Sequence, residues 1–315
     1  MMIWTPITII NSQSAPTPAP FQQMIQTTLT YQSGVRFWSP TDGWLHAWLE
    51  SISGGAATIW VRIPSSIPAG GTYQLYMIQD STLPMDGVYW GEAPQLSSTY
   101  GQYDNGPNVF SIYTNYAGTS LPSGFAVASD GANGSVTINN GATVTATNTD
   151  GTNGEFLYYR TPQNPAGIII ESLIISASSD NHDKLIGYDM VSPTDQGGWW
   201  GWSDGFVAAG IHNTDELATN VGNISGSTLS LPILVSLSWQ TTNTAKATFN
   251  YNNDSLTVSS TPTIGSSYLV SGYTSSGGTV GYQWFRVRAY PPNGVMPSVS
   301  LGPQYSGELI TVTVP

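Results

Sequence analysis

Short runs of β-branched and aromatic residues, cut apart by clusters of Gly, Pro, Asn and Ser, fill this chain from residue 7 to residue 314. Ile7-Thr8-Ile9-Ile10, Ala57-Thr58-Ile59-Trp60-Val61-Arg62-Ile63 and Thr72-Tyr73-Gln74-Leu75-Tyr76-Met77-Ile78 have the alternation of half-buried strands. Ser135-Val136-Thr137-Ile138, Gly167-Ile168-Ile169-Ile170, Thr244-Ala245-Lys246-Ala247-Thr248-Phe249 and residues 309–314 continue the pattern. Turn chemistry such as Asn139-Asn140-Gly141 and Asp150-Gly151 separates them, because these residues tolerate positive φ. No stretch of a dozen residues carries a helical period, and 34 Gly with 21 Pro leave little room for long helices. The pattern predicts an all-β fold, two tandem antiparallel β-sandwiches in 315 residues. The joint falls in the turn-rich segment 100–110, giving a smaller N-terminal sandwich over 1–102, a larger one over 103–302 and a strand-like tail over 303–315.

The surface of such a protein must be built from hydroxyls, amides and rings, because charged residues make up only 8% of the chain. Ordinary soluble domains carry about 25%. Seven Lys plus Arg against nineteen Asp plus Glu give a formal charge of −12. With no basic patch to neutralise phosphates, nucleic acid is excluded as a partner, and anionic membranes repel the chain. At roughly pH 3 most carboxylates are protonated, given reference values of about 4, which leaves a modest positive charge, and with so few charges in all self-repulsion changes little across that range. An extracellular or otherwise external setting is expected, at a virion or cell surface.

Cysteine is absent, so neither disulfides nor thiolate metal sites contribute. No apolar run reaches the roughly 18–20 residues needed to span a bilayer, and membrane insertion is not expected. The opening Met1-Met2-Ile3-Trp4-Thr5-Pro6 lacks the basic and apolar regions of a signal peptide. A virion component released with its particle fits that opening.

Residues 1–100 resemble an uncharacterised domain family of archaeal and bacterial surface proteins. The resemblance lies in Trp4-Thr5-Pro6-Ile7-Thr8-Ile9, Pro20-Phe21-Gln22-Gln23-Met24-Ile25, Val35-Arg36-Phe37, Ala47-Trp48-Leu49-Glu50, Ile59-Trp60-Val61-Arg62-Ile63-Pro64 and Ser66-Ile67-Pro68-Ala69-Gly70. It implies a β-sandwich of secreted proteins without an assigned activity. The remainder resembles concanavalin A-like (laminin-G-like) jelly-roll sandwiches. That resemblance is carried by Tyr103-Asp104-Asn105-Gly106, Val109-Phe110, residues 117–125, Trp284-Phe285-Arg286-Val287-Arg288 and Val299-Ser300-Leu301-Gly302. It implies glycan or protein binding, with hydrolysis of glycans in a minority of members.

Hydrolysis by such a sandwich needs two carboxylates across a groove, one with a raised pKa. The glutamates are Glu50, Glu92, Glu155, Glu171, Glu216 and Glu308, and none stands in a Glu-x-Asp-x-x-Glu arrangement. His46, His182 and His212 without a Gly-x-Ser-x-Gly elbow build no Ser/His/Asp triad and read as surface or loop residues. No catalytic residue is therefore assigned. Asp180-Asn181-His182-Asp183 offers hard oxygens, with Asp180, Asn181 and Asp183 as candidate calcium ligands. The loop lacks the full EF-hand pattern, and Asx-rich turns are common without metal.

The densest aromatic patch, residues 197–206, makes Trp199, Trp200, Trp202 and Asp204 the candidate glycan contacts. Sugar C–H faces stack on indole while Asp accepts hydroxyl protons; core packing of the same rings is the competing reading. Trp4, Trp38, Trp44, Trp48 and Trp60 are assigned to the first core. The sequons at Asn133, Asn223 and Asn253 suit surface turns.

The sequence therefore points to a non-enzymatic surface protein, a virion spike, fibre or cell-surface filament component that mediates attachment. Its partners would be copies of itself, other appendage proteins and host or cell-surface glycans. The extended N-terminus, residues 1–10, and the strand-like residues 309–314 are candidates for pairing with a neighbouring subunit, with pairing inside the chain the competing reading. A lectin-like module is the alternative, and a glycan hydrolase a more distant one.

Overall fold

The computed structural model describes residues 2–129, 131, 133–147, 154–178, 184–189, 199–203, 206–211, 220–224, 231–241, 244–249, 252–257, 265–275 and 277–307. The chain forms two compact units, Met1–Ile112 with Arg288–Pro315, and Tyr113–Val287. Both are β-sandwiches, as the alternation predicts.

The N-terminal stretch supplies β1 (Met2–Ile10), β2 (Phe21–Thr28), β3 (Val35–Ser39), β4 (Gly43–Leu45), β5 (Ala47–Ser53), β6 (Ala56–Ile63), β7 (Thr72–Asp80) and β8 (Trp90–Glu92). The middle of the chain supplies β9 (Ile112–Thr114), β10 (Phe125–Ser129), β11 (Ser135–Ile138), β12 (Ala142–Thr145), β13 (Gly154–Gln163), β14 (Ile168–Ala177) and β15 (Lys184–Asp189). It continues with β16 (Trp199–Ser203), β17 (Phe206–Ile211), β18 (Asn220–Ile224), β19 (Ile233–Thr241), β20 (Thr244–Phe249), β21 (Asn252–Thr257), β22 (Ser267–Ser275) and β23 (Thr279–Ala289). The chain then returns to the first unit with β24 (Ser298–Leu301) and β25 (Tyr305–Ser306).

In the first unit a six-stranded sheet runs β24-β1-β7-β3-β4, with β25 also on β1, over a four-stranded sheet β2-β6-β5-β8. Alternation sorts each strand between core and outer face. Ile7 and Ile9 of β1, Phe37 of β3 and Leu75 and Met77 of β7 point inward, meeting Ile25, Leu49, Ile59 and Val61 of the other sheet. Each such side chain is worth about 1.5–3 kcal/mol on burial. The intervening Pro6, Trp38 and Tyr76 sit on the outer face, half-buried. β1 lies inside its sheet, between β7 and the pair β24 and β25, so its backbone is committed within the chain.

Among the described pairings one departs from the antiparallel expectation. β8 runs parallel to β5, Ala47 opposite Trp90 and Leu49 opposite Glu92. A turn at Asp86 sets it there, its Oδ1 accepting the N–H groups of Val88, Tyr89 and Trp90 at 2.8–3.0 Å. The segment expected to be a joint is packed instead: a four-residue helix, α1 (Gly106–Val109), follows Asn105, whose amide donates to Ala47 O and Val88 O. Phe110 meets the Trp48 ring edge-on at 5.3 Å, which ties residues 100–110 to the first unit's sheet. The segment assigned to the end of the larger sandwich also belongs to the first unit, because Ser298–Leu301 pairs with β1 from Ile7 to Ile10.

The second unit holds a seven-stranded sheet, β10-β13-β22-β15-β16-β17-β18, and an eight-stranded one, β11-β12-β23-β14-β19-β20-β21 with β9 on β23. Polar contacts cross between the layers: Tyr188 OH of β15 donates to Leu237 O of β19 at 2.9 Å, and Tyr282 OH of β23 donates to Tyr273 O of β22 at 3.2 Å. A buried phenol needs such a partner.

Candidate functional site

The tryptophans singled out by density lie on β16, a strand inside the seven-stranded sheet between β15 and β17, with Trp200 opposite Gly187 and Gly210. Asp204 lies outside the described residues, as do Asp180, Asn181 and Asp183 of the calcium candidate and His182 and His212. Among the described residues no group of three or more His, Asp or Glu could hold a metal ion.

A different aromatic site forms on the outer face of the first unit. There a groove of about 610 Å³ is lined by Trp4, Pro6, Trp38, Pro40 and Tyr76, with Tyr305, Ser306 and Gly307 along one side. Register explains the gathering. Tyr76 stands opposite both Pro6 and Trp38, and Tyr305 stands opposite Trp4. Directly opposed residues of antiparallel strands share a face and nearly touch. Trp38 and Tyr76 accordingly lie 5.9 Å apart, tilted by 36°, and Trp4 meets Tyr76 edge-on at 6.2 Å.

Among the described residues the lining of the groove is mainly apolar and carries no charge. The Trp4 indole N–H donates to Gly307 O at 3.3 Å, which fixes the ring and holds residues 305–307 as the wall. Tyr305 is 57% exposed, whereas Trp4 is 8% exposed. Arg36 belongs to the same face, opposite Ile78, but its guanidinium is turned to Pro84 O and to Asp86 Oδ2 at 2.8 Å. Burial lowers its pKa and Asp86 works the other way.

Trp48 and Trp60 are fully buried, as assigned from sequence. Trp4 is buried too, as assigned, but beside residues 305–307 on the outer face, where Trp38 and Trp44 are only half-buried; the parity of all three is opposite to that of Phe37, Leu45 and Ile7. The signal that finds them is the strand period, which places Trp38 next to core Phe37 and Tyr76 next to core Leu75.

The described glutamates are each engaged separately. Glu50 accepts from the Trp60 indole at 2.8 Å, and Glu92 accepts from Gln32 and Ser97. Glu171 is completely buried and pairs with Arg286. Burial raises the Glu155 carboxyl, while hydrogen bonds from Ser129 and the Gly134 N–H oppose the shift. Glu216 and Glu308 lie outside the described residues. His46 stacks on Tyr89 at 5.1 Å, and its Nδ1 lies 2.7 Å from Val88 O, the surface role expected of it.

No family model matches the chain, and the N-terminal resemblance gains no support from that side. An uncharacterised protein, protein 562 of Sulfolobus islandicus rod-shaped virus 1, is 39% identical over 120 residues, covering 35% of this chain. The chain spans about a fifth of the length of this curated relative. Among solved structures, an endo-acting O-glycanase of the human gut microbiota that initiates mucin breakdown covers 57% of this chain and 98% of its own, at 10% identity and a TM-score of 0.43. A β-1,3-glucanase from Mycobacterium marinum covers 56% and 98% at 12% identity and 0.41. The exoplasmic domain of VIP36, in its calcium- and mannose-bound form, covers 57% and 91% at 9% identity and 0.38. At such scores these likenesses carry no functional weight. Among the described residues no helix is long and apolar enough to cross a membrane.

Proposed function

We propose that this chain is a non-enzymatic, externally displayed sandwich protein that contacts glycans through the groove of its first unit. The observation that carries the reading is the set of rings, Trp38, Tyr76, Trp4 and Tyr305, gathered by strand register on a solvent-facing sheet. Rings on an outer face do not contribute to the core between the sheets. Their faces suit the C–H faces of sugars, and a groove of this size falls in the roughly 300–1,000 Å³ range of ligand sites. The 8% charge content and the viral relative support an external setting, on a virion or a cell-surface appendage.

The test is a titration of intrinsic tryptophan fluorescence with a panel of neutral oligosaccharides, comparing the wild type with Trp38→Ala. Saturable quenching in the roughly micromolar-to-millimolar range, weakened about tenfold or more in the variant, is expected. Binding that survives Trp38→Ala and is lost in Trp200→Ala would move the site to the second unit. Release of reducing ends from any of the sugars would overturn the non-enzymatic reading.

A further inference from the structure

We infer that the occupant of the groove is a linear, uncharged oligosaccharide laid across the strands, and that Trp44 is a further contact beyond the groove. This rests on the sugar-binding reading above and makes it more specific. Pro6, Tyr76, Trp38 and Trp44 are successive partners in one row, on β1, β7, β3 and β4. At an inter-strand spacing of roughly 4.8 Å, three steps extend the row to about 14 Å. A single sugar ring covers only part of that length, whereas a chain of rings offers one stacking face after another.

Two features narrow the chemistry. Among the described residues no charged side chain lines the groove, the nearby Arg36 is engaged with Asp86, and the chain carries a formal charge of −12. A uronate or sulfated glycan would find no cation there and would meet long-range repulsion. The second feature separates sugars from proline-rich peptides, which also lie in aromatic grooves. Such peptides present carbonyl acceptors and need donors from the groove. On this lining the Trp4 indole N–H is already donated to Gly307 O, so that ring offers a face and no donor.

The experiment measures affinity by fluorescence and calorimetry for neutral gluco- and manno-oligosaccharides of two, four and six units. Oligogalacturonates of the same lengths and a ten-residue oligoproline serve as the other probes. The proteins are the wild type, Trp44→Ala, Trp44→Phe and Trp38→Ala, each checked for folding by thermal melting. Affinity for a neutral series is expected to rise about tenfold from two to six units, one stacked ring's contribution. Trp44→Ala should keep the two-unit affinity and lose the gain, and Trp44→Phe should retain it. Length-independent binding, an unchanged gain in Trp44→Ala, or equal affinity for oligogalacturonates would overturn this inference and leave the sugar-binding reading standing. Binding of oligoproline alone, or no sugar binding that depends on Trp38, would overturn both.

Discussion

The Nε of Arg286 donates to Oε2 of Glu171 across 2.6 Å, and neither side chain has any exposure to solvent. The two residues sit on neighbouring strands of the eight-stranded sheet, β23 and β14. Ser236 donates to the other carboxylate oxygen at 2.8 Å, and the guanidinium lies 4.7 Å from the centre of the Trp284 ring. Desolvation makes such a pair neutral or even unfavourable against an apolar replacement, yet removal of one partner strands a buried charge at a cost of about 3–5 kcal/mol. Arg286→Met should therefore lower the urea midpoint sharply. The double replacement Glu171→Leu with Arg286→Met should recover much of the loss. Equal midpoints for the wild type and the single variant would show that the charge is not stranded.

Glu155 gives the protein a stability that depends on acid. Its ordinary value is 4.5, and burial raises it, with Ser129 and the Gly134 N–H acting the other way. An acid whose folded pKa lies above its unfolded one holds its proton better when folded. Its contribution is then fully present below about 4.5 and is lost as pH rises through the raised value. Glu155→Gln removes the titration while keeping an acceptor for the Gly134 N–H. The variant should melt a few degrees higher than the wild type at pH 7 and about equally at pH 3. A difference of the same size at both pH values would assign the effect to packing.

The outlines of this fold are legible in its sequence because the strand period is local. Ile7 and Ile9 alternate with Pro6 and Thr8, and Leu75 and Met77 with Tyr76, so the core face can be read from neighbours. Residues 290–301 are not legible in that way. They give no sign that β24 returns to β1, because the partner lies at the other end of the chain. The groove was missed for the same reason: Trp4, Trp38, Tyr76 and Tyr305 meet through register, whereas residues 197–206 drew attention through density. Parallel β8 is three residues long and is set by the Asp86 turn, too short to carry a period of its own.

Gly91 on that short strand lies hard against residues 103–105. A Cβ there would lie 2.3 Å from both Asn105 Oδ1 and Tyr103 O, and the second of these is backbone that accepts from the Glu92 N–H. Asn105 cannot swing away without giving up its bonds to Ala47 O and Val88 O. Gly91→Ala should cost about 1–3 kcal/mol, the range for overpacking a well-filled site. Denaturant unfolding of the variant checks this, and an unchanged midpoint would mean that residues 103–105 yield more freely than their bonding indicates.

Tyr305 separates binding from folding. It is 57% exposed on a two-residue strand, held through pairing with Trp4 and through the Gly307 N–H donating to Met2 O at 3.2 Å. Because these bonds are backbone, removal of the ring leaves them in place, and surface substitutions of this kind stay within about 0.5 kcal/mol. Tyr305→Ala should thus melt with the wild type and bind neutral oligosaccharides about tenfold more weakly, whereas Tyr305→Phe keeps the stacking face and the affinity. Among the described residues the lining contains no carboxylate, so chelation of calcium should leave binding at the groove unchanged. Loss of binding on chelation, with Tyr305→Ala still at wild-type affinity, would place the sugar contact away from this sheet and return attention to Asp180, Asn181 and Asp183.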